Sequence, residues 1–362
     1  MNHQIFSVSS ESGLTEMRQR VVEFLDSTSS GAVPQRAPSA GESFEELALD
    51  LFQWQTRQNP SYHRYCRSLG IDGRPDSWLE IPALPQALFK EAELTSVPEL
   101  PIRYRFETSG TTSGKPGVHL LPELDLYRRA VLSGWRYFKL PVLPRHSLIP
   151  RAATHPQSSL SWMLEFLREL APPQTWFVGE KGEPDFTGLT LFLKEAYTPF
   201  MVLGTHKAFE AWLEWGEAKG MKPFAFGSVV WETGGMKALG MAPDPEPWLR
   251  RLEETLDVPP GRVINEYGMT ELASQCYATG DDGKHRAPPW LGVRVVDVIR
   301  GTPVEIGEVG LVELVDLANV YTVLAIQTQD LAEWHGDSFR LVGRAGGEAR
   351  GCSLSTAELL KS

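Results

Sequence analysis

The 362-residue sequence predicts an α/β protein with a helical N-terminal part and a small C-terminal β-subdomain. Three observations carry that prediction. Residues 1–100 show helical apolar spacing broken by proline-punctuated stretches. From 101 to 290, short apolar runs alternate with helical periodicity, the pattern of helices laid on a central sheet. From 291 to 343 the helical stretches stop and short strands follow one another through turns, leaving 344–362 as a glycine-rich, hinge-like tail.

In order along the chain, residues 11–26 carry the spacing of a short amphipathic helix, and 26–42, rich in Ser, Pro, Gly and Ala, reads as a linker. Ser43 followed by Glu46 makes a capping box. Phe44, Leu47, Leu51 and Trp54 then share one face of a helix that ends before Pro60. Residues 81–90 are apolar and punctuated by Pro82 and Pro85, which predicts packing against the domain that follows. There the expected strands are 147–150, 175–178, 200–203, 228–231 and 263–265, separated by helices such as 126–138, 160–170 and 207–217. The β-subdomain strands are expected at 292–299, 309–315, 321–328 and 339–342.

Composition narrows the class. A net charge of −11 argues against nucleic acid or an anionic membrane as the main partner. No apolar run approaches the ~20 residues needed to span a bilayer. The N-terminus lacks the cationic-then-apolar order of a secretory signal. Three cysteines, Cys66, Cys276 and Cys352, are odd in number and widely spaced, so they form neither a disulfide framework nor a metal knuckle. A reduced, cytoplasmic enzyme is the expectation.

The most informative stretch is Thr108-Ser-Gly-Thr-Thr-Ser-Gly-Lys-Pro-Gly117. Its glycines let backbone N–H groups approach an anion, and Thr108, Ser109, Thr111, Thr112, Ser113 and Lys115 add donors and charge around Gly110, a composition suited to a triphosphate. It is not a Walker A loop: Gly110 and Gly114 stand one residue too close, and Pro116 replaces the magnesium-binding hydroxyl. Taken alone, the stretch also reads as a Gly/Ser/Thr linker. Far downstream, Glu266-Tyr-Gly-Met-Thr-Glu271 offers an aromatic face at Tyr267, then Gly268, a hydroxyl at Thr270 for phosphate and a carboxylate at Glu271 for Mg²⁺. That segment also reads as a helix start capped by Thr270. Between them, Thr233-Gly-Gly-Met-Lys237 follows an expected strand, where Gly234 and Gly235 would let a flat base lie on the backbone; by itself it is a strand-to-helix turn.

Together these segments resemble the nucleotide-binding signatures of the adenylate-forming superfamily. Two more fit in order: Gln327-Thr-Gln-Asp-Leu331, in which the resemblance assigns Asp330 to the ribose hydroxyls, and the hinge-like Gly343-Arg-Ala-Gly-Gly-Glu-Ala-Arg-Gly351, with Arg344 near the nucleotide. The implied fold is the large domain of these enzymes, with ATP and Mg²⁺ as cofactors. Superfamily members usually continue for about a hundred residues past the hinge into a domain bearing a catalytic lysine; this sequence stops at Ser362, ten residues after Cys352. A thiol there is suited to attack an acyl-adenylate, being nucleophilic even when only partly ionised; a small buried cysteine is the other reading.

The combination is similar to the acyl-protein synthetase (LuxE-type) family from roughly Leu84 onward. The residues that carry this are Ala87-Leu-Phe-Lys90, Glu107-Thr-Ser-Gly-Thr-Thr-Ser-Gly114, His155-Pro-Gln-Ser-Ser-Leu-Ser161, Glu232-Thr-Gly-Gly235 and Arg350-Gly-Cys-Ser353. The resemblance implies activation of a fatty acid with ATP, storage of the acyl group on Cys352 and delivery to a reductase partner. With the usual lysine missing, Lys237 or His155 is expected to meet the carboxylate or α-phosphate; a surface lysine and a turn-capping histidine are the plainer readings. Leu160, Trp162, Met163 and Phe166 line an acyl pocket or, more simply, a helix core. The alternatives in function are a truncated acyl- or aryl-CoA ligase of the phenylacetate type and a non-catalytic nucleotide-binding subunit.

Overall fold

The computed structural model describes residues 3–29, 42–108, 115–217, 219, 221–234, 245–279 and 282–345, with side chains from residue 12 onward. Ser109, Gly110, Thr111, Thr112, Ser113, Gly235, Lys237 and Cys352, together with most of the expected linker, lie outside the described residues.

The centre is a six-stranded sheet in the order β5-β4-β6-β7-β8-β9. Its strands are β4 (Arg145–Ser147), β5 (Gln174–Trp176), β6 (Met201–Thr205), β7 (Val229–Thr233), β8 (Val263–Tyr267) and β9 (Cys276–Ala278). All neighbours are parallel except β8–β9, an antiparallel pair closing one edge. Alternate residues of each strand face opposite layers. Met201, Leu203, Val229, Trp231 and Ile264 join the core formed with α4 (Asp125–Tyr137) and α5 (Ser159–Phe166). Val202, Val230 and Val263 join Leu189, Phe209, Trp212, Leu252 and Leu256 from α6 (Phe186–Lys194), α7 (His206–Glu217) and α8 (Glu246–Leu256). Strands buried on both faces explain why these runs are almost wholly apolar.

The second sheet runs β1-β12-β11-β10, with β13 also on β12: β10 (Leu291–Val296), β11 (Val309–Asp316), β12 (Ala325–Trp334) and β13 (Phe339–Arg344). The unexpected member is β1 (Leu84–Pro85), which pairs in parallel with Ile326 and Gln327. Beside it, Arg294 ties the N-terminal part down. Its guanidinium donates to the carbonyls of Trp78, Leu79 and Ile81, with the Ile81 bond at 2.5 Å, and its Nε lies 2.8 Å from Glu313 Oε2.

Several elements match the sequence reading and several differ. The capping box forms: Glu46 N donates to Ser43 Oγ, and Ser43 N donates back to Glu46, an arrangement worth about 1 kcal/mol at the start of α2 (Phe44–Gln58). Helix α1 runs from His3 to Thr28, longer than expected and past the start of the linker. The strand expected at 321–328 begins only at Ala325 and continues to Trp334, so Asp330 sits inside a strand rather than after one. Met163 and Phe166 belong to the core, as the simpler reading has it, and Cys66 and Cys276 are buried. No helix among the described residues is long and apolar enough to cross a membrane.

Candidate active site

The phosphate-suited stretch follows a strand, Tyr104–Glu107, and that strand lies outside the central sheet. It is the loop of a hairpin that forms a sheet of its own, β2 (Tyr104–Glu107) paired antiparallel with β3 (Val118–Leu121). The neck of the hairpin is closed twice: Thr108 N donates to the Gly117 carbonyl at 3.0 Å, and Gly117 N donates to Thr108 Oγ1 at 2.8 Å. Lys115 is exposed at the loop's return.

Glu271 comes to this neck from the other side of the sequence. A Cβ added to Gly117 would lie 3.3 Å from Thr108 Cγ2 and 3.5 Å from Glu271 Oε1, so glycine permits the three groups to converge. Glu271 is 1% exposed, and its Oε1 accepts from Gln86 Nε2 at 2.9 Å. The Gly268–Glu271 segment is the turn from β8 into β9, not a helix start. Thr108 and Thr270 line one open groove with Glu107, Gln157, Ser158 and Ser159, and Glu107 N donates to the Gln157 carbonyl at 2.9 Å. The His155–Ser161 segment therefore reaches the hairpin through Gln157 to Ser159. The His155 ring itself lies against Gly182, while its Nδ1 is 3.1 Å from Thr154 Oγ1.

Asp330, Tyr267 and Arg344 form a second convergence. Asp330 and Arg344 are register partners on β12 and β13, and Arg344 Nε donates to Asp330 Oδ1 at 2.9 Å. The Tyr267 hydroxyl donates to Asp330 Oδ2, also at 2.9 Å. Tyr267 and Asp330 are each 2% exposed, and the tyrosine ring packs edge-on against His285 and Phe339. At the end of β8, Glu266 accepts a hydrogen bond from Thr233 Oγ1.

Next to this cluster, and sharing Tyr267 and His285 with it, lies a cavity of about 440 Å³, lined also by Gly234, Trp248, Asn265 and Arg340 among others. Gly234 has φ +75, a left-handed conformation that suits glycine. Of the polar wall of this cavity, Glu232 stood in a segment singled out in the sequence, but its partners did not. Glu232 accepts from Asn265 Nδ2 at 3.0 Å and from Trp248 Nε1 at 3.0 Å, and lies 3.2 Å from His206 Nδ1. Because the Asn265 carbonyl only accepts, His285 Nε2, 2.9 Å away, is the donor. Burial lowers the His206 pKa, but Glu232 and Glu210 outweigh it and hold the pKa above its ordinary value. These residues stand 16 to 33 positions apart in sequence and meet only because β7, β8 and α8 are adjacent.

Comparison with known proteins agrees with this architecture. No protein-family model matches the chain. The long-chain-fatty-acid–luciferin-component ligase of Vibrio harveyi is 22% identical, covering 86% of each chain, so the resemblance to acyl-protein synthetases extends over most of the length. Among solved structures, 2-hydroxyisobutyryl-CoA ligase in its thioesterification state, with 2-HIB-AMP and CoA, superposes with a TM-score of 0.64 at 17% identity, over 85% of this chain and 69% of that one. The same ligase in its postadenylation state gives 0.63 at 16% identity. ATP-bound MatB from Rhodopseudomonas palustris gives 0.48 at 18% identity, and the chain spans 47% of that protein. The fold is that of adenylate-forming enzymes.

Proposed function

We propose that this chain is an AMP-forming acid–thiol ligase, which activates a carboxylic acid with ATP and stores the acyl group as a thioester on its own Cys352. The observation that carries the reading is the meeting of the Thr108–Gly117 neck with Glu271, two motifs far apart in sequence, on a fold shared with acyl-CoA ligases.

In the first step a carboxylate oxygen of the acid attacks the α-phosphorus of ATP in line, the bond to the bridging oxygen breaks, and pyrophosphate leaves. Catalysis of this kind is mainly positioning and charge stabilisation. The proposed holders of the β- and γ-phosphates are Thr108, the backbone and hydroxyls of 109–113, and Lys115. Thr270 takes the α-phosphate. Gly234, Gly235 and Tyr267 frame the base, with Glu266 and Gly268 flanking it, in the cavity that Asn265 and His285 line. Asp330 and Arg344 serve the ribose side, which requires the Tyr267–Asp330 bond to open toward the ligand. Lys237 and His155 are the proposed contacts to the carboxylate or α-phosphate. A buried, hard carboxylate oxygen beside the hairpin neck fits magnesium, so Glu271 would hold it; the ion supplies charge neutralisation for the phosphates.

In the second step the Cys352 thiolate attacks the acyl carbonyl, the mixed anhydride opens and AMP departs. Residues 101–290 are proposed as the nucleotide-binding domain, 291–343 as the β-subdomain that supports it and 344–362 as the tail bearing the acceptor. The name of the Vibrio harveyi relative supports a long-chain fatty acid as substrate, and a reductase is the proposed eventual recipient. A second reading, a CoA ligase, is favoured by the CoA bound to the similar structure. Intact-protein mass spectrometry with MgATP and a panel of acids, without CoA, separates them. A hydroxylamine-labile adduct on wild type, absent from Cys352→Ser, is the expected result. AMP release only when CoA is present would overturn the self-acylating reading.

A further inference from the structure

The Thr270–Glu271 pair is held from three sides by residues the proposed chemistry does not use. Gln86 donates to Glu271 Oε1 at 2.9 Å, Asn319 Nδ2 donates to the Glu271 carbonyl at 2.8 Å, and His119 Nδ1 lies 2.8 Å from the Thr270 carbonyl. The third contact is the most constrained. His119 is 1% exposed and stands on β3, the strand that leaves the hairpin neck at Gly117. A carbonyl oxygen only accepts, so Nδ1 carries the proton. A neutral ring then presents a lone pair at Nε2, which accepts from Thr322 Oγ1 at 3.0 Å. Both ring nitrogens are used, and the ring edge packs on Phe89. Burial pushes the imidazole down to about 4, so it is neutral across the physiological range.

We infer that His119, in the Nδ1–H tautomer that the Thr270 carbonyl selects and the Thr322 hydroxyl complements, is a positioning residue that couples the hairpin neck to Thr270 and Glu271. This rests on the nucleotide reading above. The ring spans two strands of chain that must keep a fixed spacing if one anion is to touch both. A rotation of the Thr270 peptide would move the hydroxyl and the following carboxylate together, away from the neck. His119 resists that rotation with a hydrogen bond that water cannot replace in so dry a place.

The test separates side-chain geometry from simple packing. Asparagine places a donor where Nδ1 stands, glutamine reaches toward Nε2 only, and phenylalanine fills the space with neither. Affinity for MgATP, measured by calorimetry on the full chain, is expected to fall about tenfold in His119→Gln and His119→Phe and to stay within about threefold of wild type in His119→Asn. Thr322→Val, a near-isosteric change, guards against a folding failure at position 119. Without its hydroxyl, Nε2 loses its partner while Nδ1–H still faces the Thr270 carbonyl, so the ring is held on one side only and a loss of about threefold is expected, with the folded fraction by circular dichroism unchanged. Equal losses in all three His119 variants, or no loss in any, would overturn the role of His119. So would wild-type affinity in Thr322→Val. Absence of MgATP binding by the wild type would instead sink the nucleotide reading itself and this inference with it.

Discussion

Replacing Glu313 with leucine should cost this protein more stability than most single changes can. The carboxylate and its Arg294 partner have side chains only 10% and 6% exposed, with 2.8 Å between Nε and Oε2. At an effective dielectric of 20, the bare attraction at that distance is about 6 kcal/mol, an upper bound that desolvation largely offsets. Removing one partner reverses the balance: the guanidinium stays buried with only carbonyls of Trp78, Leu79 and Ile81 around it, and Gln327 Nε2 loses the oxygen it meets at 2.9 Å. Such a broken pair costs about 3–5 kcal/mol. With a urea slope near 3 kcal/mol per molar for a chain of this size, the midpoint should move down by roughly 1–1.7 M. Urea unfolding followed by tryptophan fluorescence and by circular dichroism supplies the measurement. A Glu313→Leu midpoint within 0.2 M of wild type, with equal slope, would refute the reasoning. Arg294→Met strands the Glu313 carboxylate instead and also takes the donor from three carbonyls, so its midpoint should fall at least as far.

Three further expectations follow from other groups. Burial pushes Asp316 from 3.8 up to about 6 despite hydrogen bonds from Ser274 and from the Ala273, Ser274 and Ala318 amides; because the folded value lies above the unfolded one, stability is highest below pH 4 on this account and falls as pH rises toward 6, a step that Asp316→Asn should remove from a plot of urea midpoint against pH. At a hundred times its dissociation constant, MgATP should stabilise the wild type by about 2.7 kcal/mol; Glu271→Gln should lower that by about 1.4 kcal/mol, read as a smaller thermal shift, and an unchanged shift would exclude Glu271 from the metal. Tyr267→Phe leaves a buried Asp330 oxygen without its phenol donor and should destabilise by about 1–3 kcal/mol in the same urea assay, with no change arguing that the bond is idle in solution.

What was legible in the sequence is what depends on near neighbours. The Ser43–Glu46 box spans one helical turn, so its geometry follows from local spacing alone. The runs that became β6, β7 and β8 are apolar on both faces, a composition only a covered sheet accepts. Pairing was less visible because it depends on residues far away. Nothing near Thr108 says that its strand turns back onto Val118–Leu121, and nothing near Leu84 points to Ile326. The extended strand through Asp330 was misplaced because Tyr321-Thr-Val carries β-branched and aromatic character, yet those residues spend it on packing in a loop. At the site, residue types were readable but relationships were not. Tyr267, Asp330 and Arg344 stood out one by one; the β12–β13 register joins the last two, and the packing of β8 against β12 brings Tyr267 to Asp330. Asn265 and His285 carried no motif at all.

The loop between β11 and β12 has a consequence in time. Gln55, completely buried on α2, donates to the Asn319 and Val320 carbonyls and accepts from Leu324 N, partners lying up to 269 residues later in the chain. Synthesis at about 5–20 residues per second leaves that amide waiting roughly 13–55 s for its partners after it emerges. During that interval the apolar flank of α2 around Leu51 and Phe52 has no native cover from that loop. Asn319 and Thr322, which reach Glu271 directly and Thr270 through His119, arrive in the same stretch. One late-translated loop thus closes an early part of the chain and fixes Thr270 and Glu271 of the proposed phosphate site, so a ribosome-stalled nascent chain ending before it should remain open to protease near α2 and blind to MgATP.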